Sequence, residues 1–583
     1  MEIVFPSLES NQFIQAFDQV GVLLGELEQE FDSRVPTPDT GLTAESLEAI
    51  LATYEALGNL LRTVNAYIYA FTTTDSKDEL AMGRQSEIDS NLVRLRKFGK
   101  RFSAAVGISD LDALFAESEV ARNHSYALLK AKQTAEHLMA PGEEMLASEL
   151  EITAYSAWSR LHSNMTSQLK VEVVLDGESE SLPMSVVRGL AYDADRERRK
   201  AAHSAELAGW KTVEVPLSAA MNSIKATVNM LSTRRGWVDP LEESLFSSNI
   251  DRKTLEAMMT AATEAFPIFR RYLKAKAKAI GVEKLAFYDI FAPLSASTEP
   301  WEYDRACQFI VEQFGSYSEK LGKFAMRAFS ENWVDAEPRE GKVDGAYCMS
   351  IRGDESRILE NYKPNFDSVS TLAHELGHAY HNLCLADRTV MQRSTPMTVA
   401  ETASIFCETI IRKAVLKSGS DQEKLVVLEA SLQGACQVVV DISSRYLFEK
   451  GVFERRQKRE LSAREMCDLM IQAQLDTYGD GLDPEELHPY MWAVKSHYYG
   501  RSFYNYPYMF GLLFALGLYA VYQKDPEPFV ANYDDLLSST GLADAATLGA
   551  RFGIDITTPD FWRASLDQIK DDVELFESLV ASI

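Results

Sequence analysis

Thr371-Leu-Ala-His374-Glu375-Leu-Gly-His378-Ala-Tyr-His381 is the stretch on which the reading of this chain turns. On an α-helix, positions i and i+4 share one face about 6 Å apart, so His374 and His378 can aim ring nitrogens at a single metal ion. Glu375 is rotated by about 100° from His374, which suits a base beside the site better than a ligand. Catalytic zinc takes three protein ligands and keeps one open position, where it lowers the pKa of its water to about 7. The spacing therefore predicts a zinc-hydrolase core. The competing account is a helix whose histidines only pack or hydrogen-bond.

The flanking sequence supplies the context that the motif needs. Asp367, just past Pro364, is a candidate N-cap for a helix running to about Leu383, which puts the motif mid-helix. His381 stands at i+7 from His374, on the same face, and suits a supporting or core role better than a fourth ligand. Metzincins continue the motif with Gly and a third His. Here those positions are His381 and Cys384, so that class is excluded. The first carboxylate after His378 is Asp387, and the next is Glu401 in Met397-Thr-Val-Ala-Glu401-Thr-Ala-Ser-Ile-Phe-Cys-Glu408. This second stretch has helical character, with Pro396 ahead of it and a capping-box pattern from Thr398 to Glu401. Capping is thus one role for Glu401. The other is third metal ligand, if the second helix crosses the first, with Asp387 and Glu408 as alternative ligands. Glu408, on the same face as Glu401, suits an acceptor for a ligand histidine.

His374-Glu-Leu-Gly-His-Ala-Tyr-His381 followed by Val399-Ala-Glu-Thr-Ala-Ser-Ile-Phe-Cys-Glu408 resembles the oligoendopeptidase F branch of the thimet oligopeptidase family. Three more stretches agree: Phe287-Tyr-Asp-Ile-Phe-Ala-Pro-Leu294, Gly345-Ala-Tyr-Cys-Met-Ser350, and His497-Tyr-Tyr-Gly-Arg-Ser-Phe-Tyr504-Asn-Tyr506-Pro-Tyr508. The resemblance covers about residues 200 to 570, with a looser helical match before that. It implies a mainly α fold, with two helical lobes around a deep substrate channel and a small β-sheet near the active site. It also implies one zinc ion per chain on His374, His378 and Glu401, Glu375 as general base, and oligopeptide substrates. His497 and Tyr504 would hydrogen-bond the substrate carbonyl and its oxyanion, with Tyr508 and Tyr506 next in order. Gly345, Ala346 and Tyr347 would lie on the substrate-binding strand. Most tyrosines between 498 and 519 would be aromatic packing.

Composition bounds the remainder. With 583 residues, 46% hydrophobic and 25% charged, the chain has the make-up of a soluble globular protein. A formal charge of −27 without a compensating basic block argues against a nucleic-acid partner. No secretory signal is visible after Met1, and the longest apolar run, Met509 to Tyr522, is too short to span a bilayer. Six dispersed cysteines without CxxC pairing fit reduced thiols, and a cytoplasmic location is expected.

Helical periodicity dominates the chain. Ile50, Leu51, Tyr54, Leu57, Leu61, Val64 and Ile68 recur every three to four residues, and similar patterns fill 9 to 32, 85 to 170 and 190 to 235. Residues 171–178 are strand-like, and a boundary is expected near 185, dividing an N-terminal helical domain (1–185) from a catalytic domain (186–583). A compact β element is expected at 285–294 and 343–363, where an exposed strand could take an extended peptide. Two rival readings remain: a metallo-carboxypeptidase on a similar helical scaffold, and a di-iron bundle. The second needs two Glu-x-x-His pairs, Glu375 with His378 and Glu485 with His488, but Pro484 and Pro489 bracket the latter pair and oppose a helix.

Overall fold

The apolar repeat after Leu47 forms the helix Ala44–Thr74, capped by Thr43 and Ser46 in a reciprocal pair. Ile50, Leu51, Leu57, Leu61, Val64 and Ile68 are buried, and Tyr54 packs against their edge. Helices Asn11–Arg34 and Glu79–Gly107 cover the same stripe with Phe13, Val20, Leu27, Phe98 and Phe102. These features belong to a computed structural model that describes residues 1–294 and 299–582. The fold is mainly α, with two small sheets among the described residues.

Contacts divide the chain into two compact, discontinuous units: residues 1–138, 300–411 and 525–552 in the first, and 139–299, 412–524 and 553–583 in the second. The division expected near 185 falls inside the second unit, where strands β1 (Lys170–Leu175) and β2 (Glu178–Pro183) form a hairpin and the helix Met184–Gly189 follows directly. That hairpin lies against the 39-residue helix Arg196–Arg234. Gly209 permits the close approach, since a Cβ there would stand 2.3 Å from Val171 Cγ1.

In the first unit, β3 (Val334–Asp335), β4 (Tyr347–Arg352) and β5 (Glu355–Leu359) form a sheet in the order β3-β5-β4. β4 and β5 are antiparallel with a bulge between Ser350 and Arg352, while β3 joins β5 in parallel. The β element expected at 343–363 is therefore present, with β4 at the sheet edge. The one expected at 285–294 is not. Those residues form a 3-10 turn, Phe287–Asp289, because the Asp289 carboxylate folds back on the Ala286 N–H at 3.1 Å and is gripped by Arg196 and Arg199 at 2.8 and 2.9 Å. A fully buried carboxylate with two guanidinium partners leaves no ladder to form.

Among the described residues, one helical run, Asp421–Arg456, is long and apolar enough to cross a membrane, and 61% of its most apolar window is buried within the protein. Buried charges interrupt it. Glu449 pairs with Lys225 at 2.6 Å, Glu429 pairs with Lys276, and Asp441 pairs with Arg445. Such pairs mark a core helix of a folded unit.

Candidate active site

The motif helix spans Phe366–Cys384 and starts two residues earlier than expected: Asn365, not Asp367, is the N-cap, its side chain accepting the Ser368 N–H at 3.0 Å. Asp367 sits instead in the first turn, where a carboxylate suits the helix dipole. One face of the helix packs on β4 and β5, and Asn382 Nδ2 reaches Ser356 Oγ at 3.0 Å. His374 and His378, rotated from that face by less than half a turn, are about one-quarter exposed, with ring centroids 4.9 Å apart.

The second stretch is broken at its most informative residue. A short helix, Met397–Ala400, ends at Glu401, and a new helix, Thr402–Ser418, begins after it. Thr398 lies inside the first helix and not at its N-cap. Pro396 occupies the N-cap without a side-chain bond, and the Glu401 carboxylate is engaged elsewhere. Its Oε2 lies 3.3 Å from Nε2 of both His374 and His378 and accepts the Ser404 hydroxyl at 2.6 Å. The Tyr533 hydroxyl holds the Thr402 carbonyl at 3.0 Å and steadies the break.

Gly377 makes this crossing possible. A Cβ there would fall 2.6 Å from the Ala403 carbonyl oxygen and 2.6 Å from Ser404 Cα, both backbone atoms.

Ligand atoms of His374, His378 and Glu401 lie within 4.8 Å of one another. Glu408 Oε2 stands 3.3 Å from Nδ1 of His374, so an Nδ1–H donated there leaves the Nε2 lone pair facing Glu401. Burial raises the Glu401 carboxyl, but the two imidazoles outweigh it and hold it well below the usual range, so it is anionic at neutral pH. Two imidazoles and one anionic carboxylate are the donor set of a three-ligand zinc site, and these residues fit such an ion. Asp387 is exposed and stands outside the cluster. His381 takes the core role: it is buried, its Nε2 meeting the Leu537 carbonyl at 3.1 Å and Thr540 Oγ1 at 3.0 Å, and burial pulls its pKa down to about 4.

Glu375 is buried on the sheet-facing side, and its Oε2 has no hydrogen-bond partner. Burial pushes its carboxyl upward, the two neighbouring histidines pull it down, and the net shift is upward. Beside it is a residue that the sequence did not announce. Glu360, at the end of β5, is 3% exposed with both oxygens unpartnered, and burial, reinforced by Glu375 and opposed by Lys342, pushes it to about 8.

This shift has a testable sign. Below about 4.3 Glu360 is protonated in both folded and unfolded chains; between that and its folded value only the folded chain keeps the proton, so stability falls as pH rises. Glu360→Gln removes this slope. Urea unfolding is expected to show the variant gaining about 3.5 kcal/mol over the wild type between pH 5 and pH 8. Parallel pH profiles would contradict the assignment.

Gly345, with φ +86°, and Ala346 lead into β4, and the Gly345 carbonyl accepts Asn361 Nδ2 at 3.2 Å. Tyr347 is less available for substrate than expected, because its hydroxyl is bonded to Thr73 Oγ1 at 2.7 Å.

In the second unit, the ring of His497 stacks on Tyr504 at 5.2 Å, and the Tyr508 hydroxyl meets the Tyr504 hydroxyl at 3.2 Å. His497 Nδ1 is buried without a partner; burial, then Arg445 and Lys495, lower its pKa and favour the neutral ring. Tyr506 corrects the expectation of substrate contact. It is 1% exposed and its hydroxyl lies between Ser244 and Ser248 at 3.2 and 3.1 Å, which makes it an anchor of the helix Tyr506–Lys524.

Known proteins share the sequence pattern and fold of this chain. The model of peptidase family M3 matches residues 189–568. Group B oligopeptidase PepB of Streptococcus agalactiae is 23% identical over 93% of this chain and 92% of its own length. Oligopeptidase PepF of Bacillus subtilis is 21% identical over 81% of this chain and 71% of its own. The crystal structure of oligoendopeptidase-F from Enterococcus faecium superposes with a TM-score of 0.70 at 17% identity, covering 98% of this chain and 99% of that one. The chain belongs to peptidase family M3, in the oligoendopeptidase F branch. It is a peptidase.

Proposed function

We propose that the protein is a zinc-dependent oligoendopeptidase that hydrolyses internal bonds of short, unfolded peptides. The convergence of His374, His378 and Glu401 on one point carries this reading. A zinc ion held by these three residues supplies Lewis-acid activation of water and of the scissile carbonyl. Glu375 takes the proton of the attacking water on a carboxylate oxygen and delivers it to the leaving amine nitrogen. Glu408 fixes the tautomer and orientation of His374. His497 and Tyr504, carried over from the family resemblance, donate hydrogen bonds to the carbonyl oxygen as it gains charge, with Tyr508 supporting Tyr504. The edge strand β4, entered through Gly345 and Ala346, offers backbone groups to an extended peptide, which gives length tolerance with little side-chain selectivity. Residues 186–583 form the catalytic portion and 1–185 a helical N-terminal portion, and six free thiols fit a cytoplasmic enzyme.

A peptide blocked at both ends and quenched internally tests the reading. Chelation is expected to abolish cleavage, stoichiometric zinc to restore it, and the products to be two internal fragments. Sole release of a C-terminal residue from an unblocked peptide would point instead to a metallo-carboxypeptidase. Two substitutions refine the roles. Tyr504→Phe is expected to lower kcat about a hundredfold with KM little changed, the loss typical of one oxyanion donor. Glu408→Gln is expected to weaken zinc binding by about tenfold, read by competition with a chromogenic chelator.

A further inference from the structure

A second group of metal-ligating side chains lies in the second unit, made of His203, Glu206 and His488, whose ligand atoms also stand within 4.8 Å of one another. His203 and Glu206 are one turn apart on the helix Arg196–Arg234 and share a face. His488 comes from the connection after the turn Gly479–Gly481, where Gln474 clamps its backbone on both sides: the His488 N–H donates to Gln474 Oε1 at 3.0 Å, and Gln474 Nε2 donates to the His488 carbonyl at 2.9 Å. The ring is thus held in place before any ligand arrives.

The three residues are 6%, 8% and 1% exposed. Buried polar atoms ordinarily find partners, yet His203 Nε2 and His488 Nδ1 make no hydrogen bond, and His488 Nε2 has only the Glu206 carboxylate beside it. His488 Nε2 approaches Glu206 Oε1 at 3.2 Å, and the two imidazoles lie 5.3 Å apart at 71°. Tyr288 and Phe287 wall the cluster with aromatic rings, and Trp210 Nε1 orients Glu206 by donating to its Oε1 at 3.1 Å. We propose that His203, Glu206 and His488 bind a second divalent transition metal of the zinc class, separate from the peptidase centre, which staples the helix Arg196–Arg234 to the chain around residue 488.

The donor set selects the class of ion. Two imidazole nitrogens and one carboxylate favour zinc or its neighbours over calcium or magnesium, which demand oxygen ligands. All three ligands are buried and walled by Tyr288 and Phe287, which keeps substrate from the ion and gives it a stapling role. Charge limits its strength. Arg188 Nε lies 2.9 Å from Glu206 Oε1, although its side chain is 38% exposed and can withdraw to solvent, and the nearby Asp289 is already held by Arg196 and Arg199. The second ion therefore binds more weakly than the one on His374, His378 and Glu401, where no arginine contacts the carboxylate.

The test uses the full chain, stripped by chelation and dialysed against micromolar zinc, with bound metal counted by mass spectrometry. Two zinc ions per chain are expected for the wild type, one for the double variant H374A/H378A, and one for H488Q. Cobalt substitution of H374A/H378A should give a visible d–d band that is absent when H488Q is added. A wild-type count of one that H374A/H378A abolishes would overturn this inference while sparing the peptidase reading. A count of one that survives H374A/H378A but is lost in H488Q would do the reverse. If H488Q loses its native circular dichroism, H203Q replaces it; if both do, the wild-type count and the cobalt band of H374A/H378A decide.

Discussion

Glu375→Gln is expected to lower kcat/KM about a thousandfold, equivalent to about 4 kcal/mol of transition-state stabilisation. KM and zinc content should stay as in the wild type. The amide keeps the shape of the carboxylate but cannot accept the proton of the attacking water. Because Glu375 is buried and its Oε2 has no partner, removing the charge breaks no ion pair, so the melting temperature should hold or rise. In the wild type, a carboxyl pushed upward by burial fixes the sign of the acid limb. A protonated Glu375 is inactive, so kcat/KM falls as pH drops through its raised value, above the ordinary Glu value of about 4.3. A zinc-loaded variant cleaving a quenched peptide at more than a tenth of the wild-type rate would remove Glu375 from the role of base.

Gly377→Ala should be the most damaging one-carbon change near the site. The added methyl meets the Ala403 carbonyl oxygen and Ser404 Cα at 2.6 Å, both backbone, so no side-chain rotation relieves the clash. The helix Thr402–Ser418 must retreat, and Glu401, the residue immediately before it, retreats with it. Overpacking of this kind costs about 3 kcal/mol. A second effect falls on the metal: with Glu401 displaced, zinc affinity should drop at least about a hundredfold, about 2.8 kcal/mol. Denaturant unfolding measures the first effect and equilibrium dialysis the second. A variant that melts normally and holds zinc normally would show that the crossing tolerates a Cβ.

The site was legible where chemistry imposes spacing. His374, Glu375 and His378 follow from helical geometry, and Glu401 from the scarcity of carboxylates after His378; the structure brings the three ligand candidates together. The local roles were less legible. The Thr398–Glu401 pattern has the form of a cap, yet the carboxylate is drawn to two imidazoles, a tertiary contact that outweighs a local one. Phe287–Asp289 has the composition of a strand, and a buried carboxylate held by Arg196 and Arg199, some ninety residues away, winds it into a turn. Tyr506 and Tyr508 look alike in sequence, and only the placement of Ser244 and Ser248 sends one into the core. Glu360 was not legible: a carboxylate after Ile358-Leu359 is ordinary in sequence, and its lack of a partner arises from its burial in the fold.

The discontinuity of the first unit bears on how the enzyme is made. His374, His378 and Glu401 belong to a body that is finished only by residues 525–552, which supply the Leu537 carbonyl and Thr540 to His381 and the Tyr533 hydroxyl to the Thr402 carbonyl. A polypeptide still emerging from the ribosome has the whole HExxH helix long before these supports appear. The unit that holds these three residues is therefore complete only once synthesis has passed residue 552.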